Sequence, residues 1–154
     1  NLKGAILRFA NIVGLRATHG IIIDFIRKLR KNKEELEILG DGTQTKSYLH
    51  IKDLIKAINL VMKDFNSRED INVYNIGSAD QITVNRIAEV ICEEMKLEQP
   101  PFRYKDSLGN GRGWRGDVKV MKLAIERITN LGWRPTLNSE GAIRQSCREL
   151  LETI

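Results

Sequence analysis

Apolar residues recur along this chain at two periods, and the alternation between them divides it into elements. Ala5 to Ala10 is a short, mostly apolar run, the pattern of a strand buried on both faces of a parallel sheet. Ile22, Phe25, Ile26 and Leu29 then recur at helical spacing, with Asn32 as a stop. Leu36 to Leu39 reads as a strand that feeds a tight turn at Gly40 and Gly42, because glycine adopts backbone angles other residues resist. Beyond it Tyr48 and His50 fall on one face and Leu49 and Ile51 on the other, as in a half-buried strand. Asp53 is placed as the N-cap of a helix whose stripe is Leu54, Ala57, Ile58, Val61 and Met62. Polar residues from Asn66 to Asp70 break that helix, and Ile71 to Ile76 returns as a strand.

The second half repeats the alternation. Thr83 is the expected cap of a helix carrying Val84, Ile87, Ala88, Ile91 and Met95. Pro100 and Pro101 end it, Phe102 to Lys105 reads as a short strand, and Ser107 to Gly113 is too glycine-rich to hold a shape unaided. A helix over Leu123 to Leu131 stops at Gly132, where Trp133 and Pro135 pin the chain. Asn138 or Ser139 caps a last helix striped with Ala142, Ile143, Cys147, Leu150 and Ile154. Strand, excursion with a helix, strand is the order of a right-handed parallel crossover, which sets Ala5 to Ala10 beside Val73 to Ile76.

Length and charge narrow the classes. A chain of 154 residues buries roughly 68–70% of its unfolded surface and needs no staple. Cys92 and Cys147 both fall on apolar helix faces without a His at metal or catalytic spacing, so they read as buried reduced thiols and no metal site is expected. The net charge of +5 gathers in Arg27, Lys28, Arg30, Lys31 and Lys33. That run closes a helix, where the macrodipole favours cations, and Glu34, Glu35 and Glu37 follow it without interleaved aromatics. Nucleic acid is therefore not expected as a partner. No apolar run approaches the ~18 residues of a membrane span, and a cytoplasmic protein is expected. The opening at Asn1, directly before an apolar strand, reads as a piece of a longer protein.

In open α/β sheets ligands bind beyond the carboxyl ends of the strands. Asn11 lies just past one such end, either capping the following loop or offering its amide to a ligand, with Asn75, Gly77 and Ser78 beside it. His19 stands at a helix entrance, as a surface cap or a ligand contact. Lys46 is a lone cation on the outgoing arm of the glycine turn, and Arg112 and Arg115 flank Trp114 in a basic loop able to close over a phosphate.

Leu7-Arg8-Phe9-Ala10-Asn11-Ile12-Val13-Gly14, then Gly40-Asp41-Gly42 through Asp53, Val73-Tyr74-Asn75-Ile76-Gly77-Ser78, Gly116-Asp117-Val118 and Leu131-Gly132-Trp133-Arg134-Pro135 stand in an order that carries a resemblance. Together they resemble the C-terminal part of the extended short-chain dehydrogenase/reductase family, in its nucleotide-sugar epimerases and dehydratases of the UDP-glucose 4-epimerase type. The resemblance implies an α/β fold: the C-terminal part of a Rossmann-like parallel sheet plus a smaller mixed α/β substrate-binding domain. Residues 1–78 would hold the last strands of the dinucleotide-binding sheet with an inserted substrate-binding loop and turn, and residues 79–154 the small substrate-binding domain.

It also implies an NAD-dependent enzyme acting on a nucleoside-diphosphate sugar, a UDP-sugar by type, and a homodimer for the complete protein. By resemblance Asn11 contacts the nucleotide sugar, His19 and Gly20 touch its phosphates or sugar, and Lys46 with Arg112 or Arg115 grips the diphosphate. Tyr48 joins that set, and the backbone of Phe9 and Ala10 lies near the nicotinamide. Two departures stand out. The family more often has Arg where this chain has Lys46, and an Arg two residues before the Gly-Asp pair, where this chain has Trp114.

Tyr74 and Tyr104 have Ser78 and Leu108 four residues on, and although Tyr48 has Lys52 at that spacing it stands in the turn-strand motif that the resemblance assigns to substrate binding, so the family's catalytic Tyr-x-x-x-Lys pair is not expected in this chain. No glycine-rich turn opens a helix in the dinucleotide manner, so no catalytic residue and no independent NAD binding are expected of this chain. A different class remains open: a non-catalytic binding or regulatory module on the same fold, which the sequence upstream would discriminate.

Overall fold

The computed structural model describes residues 3–65 and 71–154. In chain order the elements are β1 (Gly4–Phe9), β2 (Asn11–Val13), α1 (Ile21–Lys31), β3 (Leu36–Leu39), β4 (Thr45–Lys46), β5 (Tyr48–His50) and α2 (Ile51–Asp64). There follow β6 (Ile71–Ile76), β7 (Ile82–Thr83), α3 (Val84–Glu94), β8 (Phe102–Lys105), β9 (Val120–Met121), α4 (Glu126–Asn130) and α5 (Ser139–Leu151). The expected break from Asn66 to Asp70 lies outside the described residues.

β1 and β6 are adjacent and parallel, with Leu7 opposite Tyr74 and Phe9 opposite Ile76, as the crossover order requires. Parallel pairing recurs between β2 and β5 and between β3 and β8, so the fold is mixed α/β built mainly on parallel pairs. β1, however, is not buried on both faces. Ile6 and Phe9 are 50% and 46% exposed, and among the described strands β1 has β6 alone as neighbour. Ala10 still donates its N–H to the Ile76 carbonyl at 2.9 Å, after which the chain passes to β2 and a new partner.

Two hydrophobic clusters form, and β5 runs between them. One gathers α1, β3, α3 and α5 with Tyr48; the other gathers α2, β6, Ile128 and Trp133 with Leu49. The expected alternation of β5 therefore holds, but both faces are covered and Tyr48, Leu49 and His50 are all buried. Elements from before and after residue 78 share the first cluster. Along the seam between α3 and α5, Arg86, Arg144 and Arg148 interleave with Glu93, Glu94 and Glu140 in a continuous ion-pair ladder.

The helix ends correct several expectations. α2 is capped by His50, whose ring nitrogen accepts from the Lys52 N–H at 3.3 Å, not by Asp53. Asp53 lies inside the first turn, buried, because its carboxylate is claimed by Thr136: the Thr136 N–H and hydroxyl donate to it at 2.8 and 2.7 Å. Met62 is 68% exposed and off the stripe, since α2 buries the face of Leu54, Ala57 and Val61. α4 is a single short turn rather than Leu123 to Leu131. Asn138 is the cap of α5, accepting from Gly141 at 2.8 Å, and Ile154 lies exposed beyond the last turn. Thr83 caps α3 as expected, accepting from the Arg86 N–H at 3.1 Å.

Candidate substrate-binding cavity

The turn after β3 is the element that positions the site. Gly40 and Gly42 take φ of 84° and 76°, in the left-handed region, and a side chain on Gly40 would press on the Gly111 carbonyl oxygen at 2.8 Å. Asp41 ties the turn: its carboxylate accepts from Thr43 and from Lys119, and these contacts hold its pKa at about 2. β4 emerges from the turn between two partners, antiparallel to β7 and parallel to β9, so the Lys46 backbone is fixed on both sides.

The Lys46 ammonium donates to Asp117 Oδ1 at 2.5 Å and lies 5.2 Å from the centre of the Trp114 ring. Asp117 is buried and its other oxygen accepts from the Gly113 N–H at 3.1 Å, so the pair is a fixed feature of the wall. Tyr48 follows on β5. Burial, and then the charge of Asp117, push its phenol up to about 12, which keeps it neutral over the working range of a protein.

A cavity of about 520 Å³ opens here, lined by Lys46, Tyr48, Trp114 and Asp117 together with Asn11 and Gly14, Ala17, His19 and Gly20 of the loop before α1. The size suits a small-molecule ligand. Asn11 is oriented by its amide nitrogen, which donates to the Ser47 carbonyl at 3.1 Å. His19 is exposed, with Nδ1 3.2 Å from the Thr18 hydroxyl. Gly20, at φ 108°, precedes the first turn of α1, and space is open around its α-carbon. That helix N-terminus faces the cavity with its partial positive charge, which favours an anion.

Of the expected residues, Asn11, His19, Gly20, Lys46 and Tyr48 come together around this cavity. Arg112 and Arg115 do not line it, although Trp114 between them does; all three are exposed, Trp114 at 58%. Phe9 and Ala10 lie outside the lining as well: Phe9 is half-exposed on β1 and Ala10 is packed, such that a methyl group on Gly77 would come within 2.9 Å of its side chain. Sequence reasoning missed Asp117 and Trp114 as site residues. The signal for Asp117 was present in the Gly116-Asp117 pair, but a carboxylate 71 residues from Lys46 is joined to it only by the fold.

The glycine-rich stretch Gly109 to Gly113 opens no helix. Asp106 holds it as a turn, accepting from the Asn110 and Gly111 N–H groups at 3.3 and 2.8 Å, and the next element is β9. That stretch thus lacks the helix N-terminus a pyrophosphate site uses. Among the described residues no group of three or more His, Cys, Asp or Glu is arranged to hold a metal ion, and no helix is long and apolar enough to cross a membrane.

Residues 1–77 match the model of the NAD dependent epimerase/dehydratase family, and the chain belongs to that family. It is similar to a putative UDP-glucose 4-epimerase of Methanocaldococcus jannaschii, 30% identical over 148 residues, which span 94% of this chain and 44% of the relative. Among solved structures it is similar to a UDP-galactose 4-epimerase with a TM-score of 0.84 and 34% identity, covering 99% of this chain and 46% of the other. A second is a UDP-glucose 4-epimerase from Thermotoga maritima, solved with UDP-glucose, at a TM-score of 0.77 and 28% identity over 97% of this chain and 46% of that one. The chain thus spans somewhat under half the length of these relatives, and its likeness to them is that of a Rossmann-like epimerase fold in its C-terminal part.

Proposed function

We propose that this chain is the substrate-binding portion of an NAD-dependent nucleotide-sugar epimerase or dehydratase, and that its cavity holds a nucleoside-diphosphate sugar, a UDP-sugar in particular. The observation that carries the reading is the placement of Lys46: a cation fixed by β4 at the wall of the same cavity that Gly20 and the first turn of α1 line. A diphosphate lying between them meets an ammonium on one side and helix N–H groups on the other. The sugar then lies towards Asn11 and Tyr48, and Trp114 offers a flat apolar wall. The similar structure solved with UDP-glucose supports the ligand class.

In the complete protein NAD would supply the hydride chemistry, held chiefly by residues outside this chain, with the backbone of Phe9 and Ala10 near the nicotinamide. What these residues do is bind and orient the substrate. Tyr48 is buried and neutral, and Lys52, four residues on, is bonded to Glu149, so Tyr48 serves as wall rather than proton carrier.

Calorimetric titration tests the reading. In the complete protein, Lys46→Ala should weaken UDP-glucose binding by about 10- to 150-fold, the loss of one charge-assisted contact, while leaving uridine binding unchanged. Equal losses for both ligands would show that Lys46 does not meet the phosphates. Arg112→Ala and Arg115→Ala, titrated alongside, report whether either exposed guanidinium reaches the diphosphate once ligand is bound.

A further inference from the structure

The cavity wall formed by Gly14 to Gly20 has no helix or strand of its own, so something else must hold it. Arg16 within it takes φ of 70°, a left-handed conformation that a non-glycine residue keeps only when its surroundings impose it. Among the described residues, the hydrogen bond that ties this loop to a distant element runs from the Leu15 N–H to Glu149 Oε2 at 3.1 Å, across 134 positions.

Glu149 belongs to α5, and its carboxylate is a junction of four donors. Oε2 also meets His50 Nε2 at 3.1 Å, while Oε1 accepts from Lys52 Nζ at 2.9 Å and Gln145 Nε2 at 3.0 Å. Because His50 Nδ1 already accepts the Lys52 N–H to cap α2, the neutral ring carries its proton on Nε2 and donates it to Glu149. A carboxylate is the side chain that accepts from four donors without offering one. Burial alone would raise its pKa, but Lys52, Gln145 and His50 bring it down to about 2. The same group therefore joins the loop, the end of β5, the start of α2 and α5. Val13, which leads into the loop, is paired opposite His50, and a methyl group on Gly14 would collide with the Ile51 side chain.

We infer that Glu149 is a positioning residue for the cavity: through its hydrogen bond to Leu15, braced by His50, it fixes the Gly14–Gly20 wall that carries His19 and leads into α1. It touches no ligand itself, and it acts on binding through the loop. The inference deepens the ligand-binding reading of the cavity and rests on it for the choice of ligand, though not for its structural half.

The test compares Glu149→Ala, Glu149→Gln and Cys147→Ala in the complete protein. Cys147→Ala is a core change on the same helix, away from the cavity lining, and controls for general loss of stability. Hydrogen exchange of the amides from Leu15 to Gly20 is read together with the affinity for UDP-glucose and the melting temperature. Glu149→Ala should speed exchange of this segment and weaken UDP-glucose binding about tenfold each, the equivalent of one hydrogen bond to a charged group. Glu149→Gln, whose amide oxygen can still accept from Leu15 and His50, should restore both to within about twofold. Cys147→Ala should lower the melting temperature without either effect. Unchanged loop exchange in Glu149→Ala, or loop effects in Cys147→Ala of the same size, would overturn the inference. Should the unaltered protein fail to bind UDP-glucose while the exchange pattern follows expectation, the positioning role stands and the ligand reading falls.

Discussion

Lys46 and Asp117, 71 positions apart, form the ion pair of the cavity wall, with the Asp117 side chain 3% and the Lys46 side chain 17% exposed. A pair so placed costs desolvation on both sides, so removing one partner is worse than removing both. Lys46→Met leaves a buried carboxylate with the Gly113 N–H and should lower stability by about 3 kcal/mol. The double change Lys46→Met with Asp117→Leu should recover part of that loss. Urea denaturation of the three proteins checks it, and a double variant less stable than Lys46→Met would refute the argument.

Acid should unfold the protein through a small set of carboxylates. Asp41, Glu140 and Glu149 are held at about 2, and Asp53 is also lowered, where burial is outweighed by Thr136 and Lys56. Unfolded carboxylates titrate near 3.9 to 4.3. A depressed folded pKa contributes stability that is present above the unfolded value and is lost as pH falls through the folded one. The melting temperature should therefore hold steady with respect to these groups above about pH 5 and fall between about pH 4.5 and 2. Glu149→Gln should make that fall shallower; an acid limb superimposable on the unaltered protein's would show that Glu149 has no share in it.

The two thiols should be inert in the folded state. Cys147 is fully buried and burial pushes it up to about 12, with Cys92 raised for the same reason. Reactivity belongs to the thiolate, which is scarce at such values. Ellman's reagent should label neither residue until denaturant is added, after which both should react; rapid labelling of the native protein would contradict the packing of α3 against α5.

The outer side of β1 should promote association. Ile6, Phe9 and Ile71 are exposed on the β1–β6 pair, and among the described strands the far edge of β1 has no neighbour. Such an edge is a template for another strand. The isolated 154-residue chain should sediment as a concentration-dependent mixture, and Ile6→Lys should shift it toward monomer. A clean monomer over a wide concentration range would mean that the edge is protected by its own geometry.

Much of the fold was legible because it rests on local rules. Helical spacing marked α1, α3 and α5, Thr83 announced one cap and the pair Asn138 and Ser139 another through short polar side chains, and the order of strand, helix and strand required the parallel pairing of β1 with β6. Five of the seven residues expected at the substrate site meet at one cavity, since the carboxyl ends of parallel strands and the turn after β3 converge there.

What the sequence by itself determined, then, is the identity and order of the longer elements, because propensity and apolar period act over a few residues, whereas the short strands β2, β4, β7 and β9 exist only through their partners. Only the tertiary structure decided which polar groups would be partners. His50 rather than Asp53 caps α2 because Thr136, 83 positions away, claims the Asp53 carboxylate. Trp114 lines the cavity while Arg112 and Arg115 do not, because Asp117 is drawn inward to Lys46 and its N–H donates to the Trp114 carbonyl at 3.0 Å. A buried charge must find its counterpart wherever the chain brings one, and that search runs through space rather than along the sequence.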